Sequence, residues 1–294
     1  MHIKFFWKKS KKVLYNTNMI KYNTVITLLQ ERNLKMKKFV TMMLALCMML
    51  VCLTGCGQSE GSDLSYIQNK GKLVVGITEY APMDYKDENG QWTGFDAEFA
   101  RLFAQELGVE VEFRILSDWG KKFYELETKN IDVIWNGMTI TEEVTLNSSC
   151  SDPYVINAQV VVMQKDMADK YPDAESMQNL TFAVENGSAG QKAVGDIGAE
   201  NLVLLQDQAA ALMEVAAGTS DACVIDITMA KAMTGAGTSY ENLIIALTLT
   251  SEEYGVGFRK GSDVTARFNA FMAEGMADGT LDALAEKYGL TLAK

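Results

Sequence analysis

Residues Asn130 to Thr141 read Asn-Ile-Asp-Val-Ile-Trp-Asn-Gly-Met-Thr-Ile-Thr. Val133, Ile134 and Trp135 make a short apolar run of the kind buried on both faces in a parallel sheet. The run then breaks into polar Asn136, Gly137 and Thr139. Gly137 allows a close backbone approach, and Thr139 brings a hydroxyl to the same edge. Ligands of open α/β sheets sit at the carboxyl ends of the strands, so Asn136, Gly137 and Thr139 are candidates for a pocket floor. The plainer alternative is a strand that ends in an ordinary turn, and the rest of the chain decides between them.

On the N-terminal side of this run, Lys72–Ile77 reads as a strand and Glu79-Tyr80-Ala81-Pro82-Met83 as the loop after it. Phe95, Phe99, Leu102, Phe103 and Leu107 fall on one face of a helix, with Gly108 at the usual stop position. Val109–Ile115 alternates as a strand, and Asp118-Trp119 leads into a helix around Lys121–Lys129. Strand, helix, strand, helix, strand is the pattern of a parallel α/β sheet. On the C-terminal side, Thr141 caps a short helix over Glu142–Ser149, and Val155–Met163 is a long extended segment suited to crossing between domains. A second set follows: strands at Thr181–Val184, Leu202–Leu205 and Ala222–Ile225, with helices opening near Gln191 and Ala209. Leu243–Leu249 is extended and suits a return crossing. Tyr254–Phe258 is a strand, and helices around Val264–Glu274 and Thr280–Lys287 finish the chain.

The 294 residues, 48% apolar and 22% charged, leave room for two domains of ordinary size. The net charge of −11 hides an asymmetry. Residues 1–55 carry ten basic side chains and one acid, which leaves residues 56–294 at net −20. So acidic a surface repels nucleic acid and anionic head groups. The only histidine is His2, so residues 56–294 hold no imidazole for a nucleophilic triad or a His-ligated metal, and no cofactor is called for. Cys150 and Cys223 read as two buried thiols, with a disulfide between them left open.

Met36-Lys37-Lys38 followed by the apolar run Phe39–Leu53 has the form of a secretory signal. Met36 is the expected true start, with residues 1–35 an upstream extension and 36–55 the signal peptide. Leu53-Thr54-Gly55-Cys56 resembles the bacterial lipoprotein cleavage signal, which implies a lipidated Cys56. Residues 56–64 then read as the anchored residue and a flexible tether.

The mature chain resembles the extracellular solute-binding proteins of polar amino-acid ABC importers, family 3. The resemblance is carried by Tyr80-Ala-Pro82, Gly94-Phe-Asp96, Ile131-Asp-Val-Ile, Gly137-Met-Thr-Ile-Thr141, Ser151-Asp-Pro-Tyr154, Gly187-Ser188, Asp221–Asp226, Tyr254–Phe258 and Lys287-Tyr-Gly289. It implies an α/β, two-lobed, periplasmic-binding-protein-like fold of type II: two open α/β sheets joined by two crossing strands. Residues 65–155 and 252–294 would form lobe one and residues 156–251 lobe two. The ligand would lie between the lobes, which would close about hinges near Tyr154–Ala158 and Thr248–Glu253. The resemblance implies aromatic walls at Tyr80 and Trp119, contacts at Asn136, Gly137 and Thr139, a carboxylate site at Ser188, and Asp226 as the partner of the ligand's ammonium. Ser188-x-x-Gln191 is also a capping box, and Asp226 is also placed to cap a helix. Glu79 and Glu185 add acids to the loop positions, and Trp135 is a third aromatic candidate. Two features depart from the family. The arginine that grips a carboxylate in many relatives should fall at 144, which is Val144, and a common hydroxyl position is Ala189. Arg114 is the expected substitute if a cation is restored from elsewhere.

The expected function is a monomeric, lipid-anchored binding protein on the outer face of the cell membrane. It would hold an amino acid or a related ammonium-bearing molecule and deliver it to an ABC permease and ATPase. The alternatives are a lyase on the same fold, similar to cyclohexadienyl dehydratase, and a ligand-sensing receptor subunit. The lyase would need cationic grips for a carboxylate-rich substrate, and the aligned grip is missing.

Overall fold

The computed structural model describes residues 62–294. The expectations for residues 1–61, lipidated Cys56 included, lie outside them. Among the described residues no helix is long and apolar enough to cross a membrane.

Ser62 caps α1 (Asp63–Lys70) by accepting from the Ser65 amide at 3.2 Å, and Gly71 ends the helix in the left-handed region. The first parallel set follows: β1 (Lys72–Ile77), a small hairpin of β2 (Tyr85–Lys86) and β3 (Trp92–Thr93), α2 (Phe95–Glu106), β4 (Glu110–Ile115), α3 (Lys122–Glu127) and β5 (Val133–Thr139). Next come α4 (Glu142–Asn147), β6 (Ser149–Cys150), β7 (Val155–Asn157) and β8 (Gln159–Gln164). The second set is β9 (Phe182–Glu185), α5 (Ala189–Asp196), β10 (Leu202–Leu205), α6 (Gln208–Ala217), β11 (Ala222–Asp226), α7 (Ile227–Met233) and β12 (Leu243–Thr248). The chain ends with β13 (Glu252–Phe258), α8 (Val264–Ala277) and α9 (Thr280–Tyr288).

The strands make two open sheets, one per lobe. The first runs β4-β1-β5-β13-β6, with β7 also paired to β13. The second runs β10-β9-β11-β8-β12. In each sheet the strands of the strand–helix–strand sets are parallel: β4, β1 and β5 in one, β10, β9 and β11 in the other. The strands next to the crossings run against them, β13 against β5 and β8 against β11. The backbone passes between the sheets with only Ala158 separating β7 from β8. It returns between the end of β12 at Thr248 and the start of β13 at Glu252.

Three local expectations need correction. The strand at Val133 does not break at Asn136; it continues to Thr139 with every residue buried. β13 supplies the reason, since it pairs Gly255 with Met138 and Tyr254 with Thr139 and takes up the kink at Gly137 (φ 55°) in a register shift between Gly255 and Gly257. The helix around Lys121–Lys129 is shorter, a 3-10 turn at Trp119–Lys121 followed by α3, and Lys129 turns the chain out at φ 62°. Leu243–Leu249 is not a crossing but an edge strand paired to β8; the crossing is the segment after it.

β5 is covered on both faces. Trp135 packs against Phe99 and Phe268 with ring centroids 5.0 and 4.9 Å apart, while Ile134 and Met138 face Trp119 and Leu126 on the other side. Burying a large apolar side chain of this kind contributes roughly 1.5–3 kcal/mol. Trp135 therefore belongs to the core between α2 and α8 and is no wall of a ligand site. Cys150 and Cys223 are both free and lie in different sheets; burial raises both thiols, Cys150 to about 11.

Candidate functional site

The carboxyl ends of β5, β9 and β11 meet across the gap between the sheets, and the loops after them line one cleft. The first lobe contributes Trp119 from the turn after β4, and Asn136, Gly137 and Thr139 from β5. The second contributes Glu185, Ser188, Gln208 and Asp226. The cleft holds about 460 Å³ of space not filled by atoms, part of it continuous with solvent.

Asp226 is 3% exposed and sits at the floor of the second lobe's half. Its Oδ1 accepts from the side-chain amides of Asn157 and of Gln159, the latter at 2.7 Å, and its Oδ2 accepts from Gln208. Gln208 Oε1 in turn accepts from the Asp226 amide at 2.9 Å. The carboxylate makes no cap bond to α7, so the capping role open in the sequence is not the one it fills. Burial first, and then the charge of Glu252, raises this carboxyl to about 7, against the pull of the three amides. Glu252 shares the same donors: its Oε1 accepts from Asn157, Gln159 and Thr139, each at 2.7 Å. Glu185 is equally buried, its Oε1 has no hydrogen-bond partner, and burial together with the Asp226 charge raises it to about 8.

Ser188 caps α5 by accepting from the Gln191 amide at 3.1 Å, and Gln191 Oε1 accepts from the Gly187 amide at 2.7 Å. This satisfies two donors around the helix start and leaves the amide of Ala189, which precedes any intrahelical acceptor, at the cleft. Asn136 is spent on the fold: it accepts from the Thr78 amide and donates to the Thr78 hydroxyl, both at 2.9 Å.

The lobes touch around the cleft. Asn186 donates to Asp118 Oδ1 at 2.9 Å, and Lys122 Nζ donates to the Gly187 carbonyl at 3.1 Å. Tyr80 is 1% exposed and lies against Gly137. Its hydroxyl bonds Thr228 Oγ1 at 2.5 Å and the Tyr254 hydroxyl, which turns the ring into a bridge beside the cleft rather than a wall lining it. Glu79 is exposed between buried Thr78 and Tyr80 and does not line the cleft. Val144 and Ala189 do line the cleft. Arg114 does not restore a cation there; it pairs with Glu112 and the Asn130 carbonyl on β4. Among the described residues no group of three or more His, Cys, Asp or Glu side chains is placed to hold a metal.

The family model of bacterial extracellular solute-binding proteins, family 3, matches residues 73–291. The chain belongs to this family. It is 27% identical over 259 residues to the arginine-binding extracellular protein ArtP of Bacillus subtilis (strain 168), covering 86% of this chain and 98% of that one. It is 28% identical over 231 residues to the L-cystine-binding protein TcyJ of Escherichia coli (strain K12), covering 76% and 85%. The structure of holo ArgBP from T. maritima superposes with a TM-score of 0.68 at 33% identity, over 76% of this chain and 98% of that chain. The ancestral amino acid-binding protein AncCDT-1, described as a precursor of cyclohexadienyl dehydratase, gives 0.70 at 33% identity, over 77% and 99%. These relatives are binding proteins by description, which favours binding over the lyase alternative.

Six of the eight ligand-binding positions expected for this solute-binding protein line the cleft: Trp119, Asn136, Gly137, Thr139, Ser188 and Asp226. The sequence reading missed Lys122, Glu143, Gln159 and Gln208, which also line it. The amides are 49 residues apart in the chain and meet only because β8 pairs with β11 in the register Gln159↔Asp226. Lys122 follows Lys121 in what looks like a helix surface. Yet Lys121 is exposed and paired with Asp118, while Lys122 turns inward and is 3% exposed. Only the 3-10 turn before α3 decides which lysine is buried.

Proposed function

We propose that the protein captures an amino acid with a cationic side chain between its lobes, as the receptor of an ABC importer. The observation that carries the reading is Asp226, buried in the cleft and held by three amide side chains. An ionised carboxylate has about four acceptor positions; the amides take three and orient the group, which leaves a place for the ligand's α-ammonium. The start of α5 supplies main-chain donors for a carboxylate. Asp226, Glu185 and Glu143 against Lys122 make the lining acidic, and an acidic wall with the indole of Trp119 suits a second positive charge on the ligand. The arginine-binding relatives support this class. The lipoprotein-like signal ending at Cys56 supports anchorage on the outer face of the membrane, where a permease and ATPase would receive the ligand.

Calorimetry of residues 62–294 with L-arginine, L-histidine, L-cystine and L-glutamate tests it. L-Arginine binds best, and Asp226→Ala weakens that binding roughly hundredfold, as expected when one partner of a buried charge pair is removed. Tight binding of L-glutamate that Asp226→Ala leaves untouched would overturn the reading.

A further inference from the structure

Lys122 is the one cation among the described residues lining the cleft. Its Nζ donates to two neutral acceptors, the main-chain oxygens of Trp119 at 3.4 Å and of Gly187 at 3.1 Å. An ammonium carries three N–H donors, so one is left over. The side chain takes part in none of the ion pairs among the described residues. Lysines are rarely this buried without a charged partner. Burial lowers the Lys122 ammonium's pKa against the weaker pull of Glu143, Glu185 and Asp118, in that order, and none of these acids closes to contact. Asp118 is already held by Lys121, Asn186 and the Gly120 amide. Glu185 keeps a buried oxygen without any partner. Lysine and glutamate thus face one cleft, neither with a charged partner in contact. The Gly187 oxygen that Lys122 touches lies two residues before Ala189, whose amide opens α5 at the cleft.

We infer that Lys122 grips the carboxylate of the bound amino acid, together with the first amide of α5, and sets the preference for an amino acid over the matching amine. The missing grip at Val144 is thereby supplied from elsewhere in the same lobe, by the start of α3 just after β4. An α-amino acid presents an anion and a cation close together, and Lys122 complements the anion as Asp226 complements the cation. Because Lys122 belongs to the first lobe and α5 to the second, one carboxylate held between them also ties the lobes together. This inference rests on the amino-acid reading above.

The test is calorimetry with L-arginine and agmatine, the same molecule without its carboxylate, on wild type, Lys122→Met and Lys122→Gln. Wild type prefers L-arginine, and the preference falls about ten- to hundredfold in both variants, the scale of a hydrogen bond to a charged group. Glutamine retains donors for the two carbonyls and keeps the comparison available if the methionine variant folds poorly, with thermal melting as the check. Equal loss of both ligands, with the preference kept, would mean that Lys122 only supports the closed lobes and would overturn the assignment. Equal binding of L-arginine and agmatine by wild type would overturn it as well while leaving the ammonium site of the proposed function intact. Binding of neither ligand by wild type would sink both readings together.

Discussion

At the scale of single residues, the cleft is governed by acids that burial keeps from ionising easily. Asp226 at about 7 and Glu185 at about 8 are both raised by desolvation before anything else. A cationic ligand favours their ionised forms, so its binding near neutral pH releases protons, and its affinity rises between about pH 6 and pH 9 as the carboxyls lose them. Calorimetry at pH 7 in buffers of different ionisation enthalpy reads the protons released. The sign for stability is the reverse. Unfolded carboxyls titrate near 4, so the folded protein binds more protons than the unfolded chain between about pH 4 and 8. The stability these groups contribute is therefore complete below pH 4 and is lost as the pH rises through 7 and 8. Glu185→Gln flattens that decline in a melting series without ligand; an unchanged slope would show that Glu185 is not the group responsible.

At the scale of elements, β5 carries the site because its entrance is fixed. Asp132, just before the strand, is 1% exposed and accepts from the Val74 amide at 2.7 Å, from Lys70 at 2.5 Å and from Arg259 at 3.3 Å. Arg259 is itself 8% exposed; it also holds Asp63 and donates to the carbonyls of Leu126 and Ile131. The node ties α1, β1, β5 and the end of β13 together at the end of the sheet away from the ligand. Removing one partner of a buried charge network costs about 3–5 kcal/mol. Asp132→Ala should lower the free energy of unfolding by about 3 kcal/mol in urea titrations, toward the low end because Arg259 keeps Asp63. A loss below about 1 kcal/mol would show that the node contributes little.

At the scale of the whole molecule, the proposed closure depends on how near the two lobes can approach. Gly187 has φ +71°, and a Cβ there would lie 2.5 Å from Gly120 Cα of the other lobe. An alanine at 187 meets the left-handed penalty of about 1–2 kcal/mol and also pushes Gly120 away. Gly187→Ala should weaken ligand binding and keep the particle extended in small-angle scattering with L-arginine present, while wild type compacts. Gly195→Ala, in α5 with open space around its added Cβ, is the control and should compact as wild type does. Identical scattering from both variants would remove Gly187 from the closing contact.

The sequence by itself determined the parallel strand–helix–strand sets, the double burial of Val133–Trp135, the capping of α5 by Ser188 and the place of Asn136 and Gly137 at a strand's carboxyl end, while the meeting of Ser188 and Asp226 with them came from the family resemblance. The local features follow from periodicity, cap chemistry and the carboxyl-end rule, all of which act over a few residues. Tertiary structure alone decided the antiparallel strands β8 and β13, because their partners are set by pairing across the sheet rather than by local pattern. It likewise decided that Trp135 packs in the core, that Tyr80 bridges to Thr228, and that Glu79 points away. The amide cage of Asn157, Gln159 and Gln208 and the inward turn of Lys122 were out of reach for the same physical reason: a buried polar group is recognised by the partners that satisfy it, and those partners lie far along the chain.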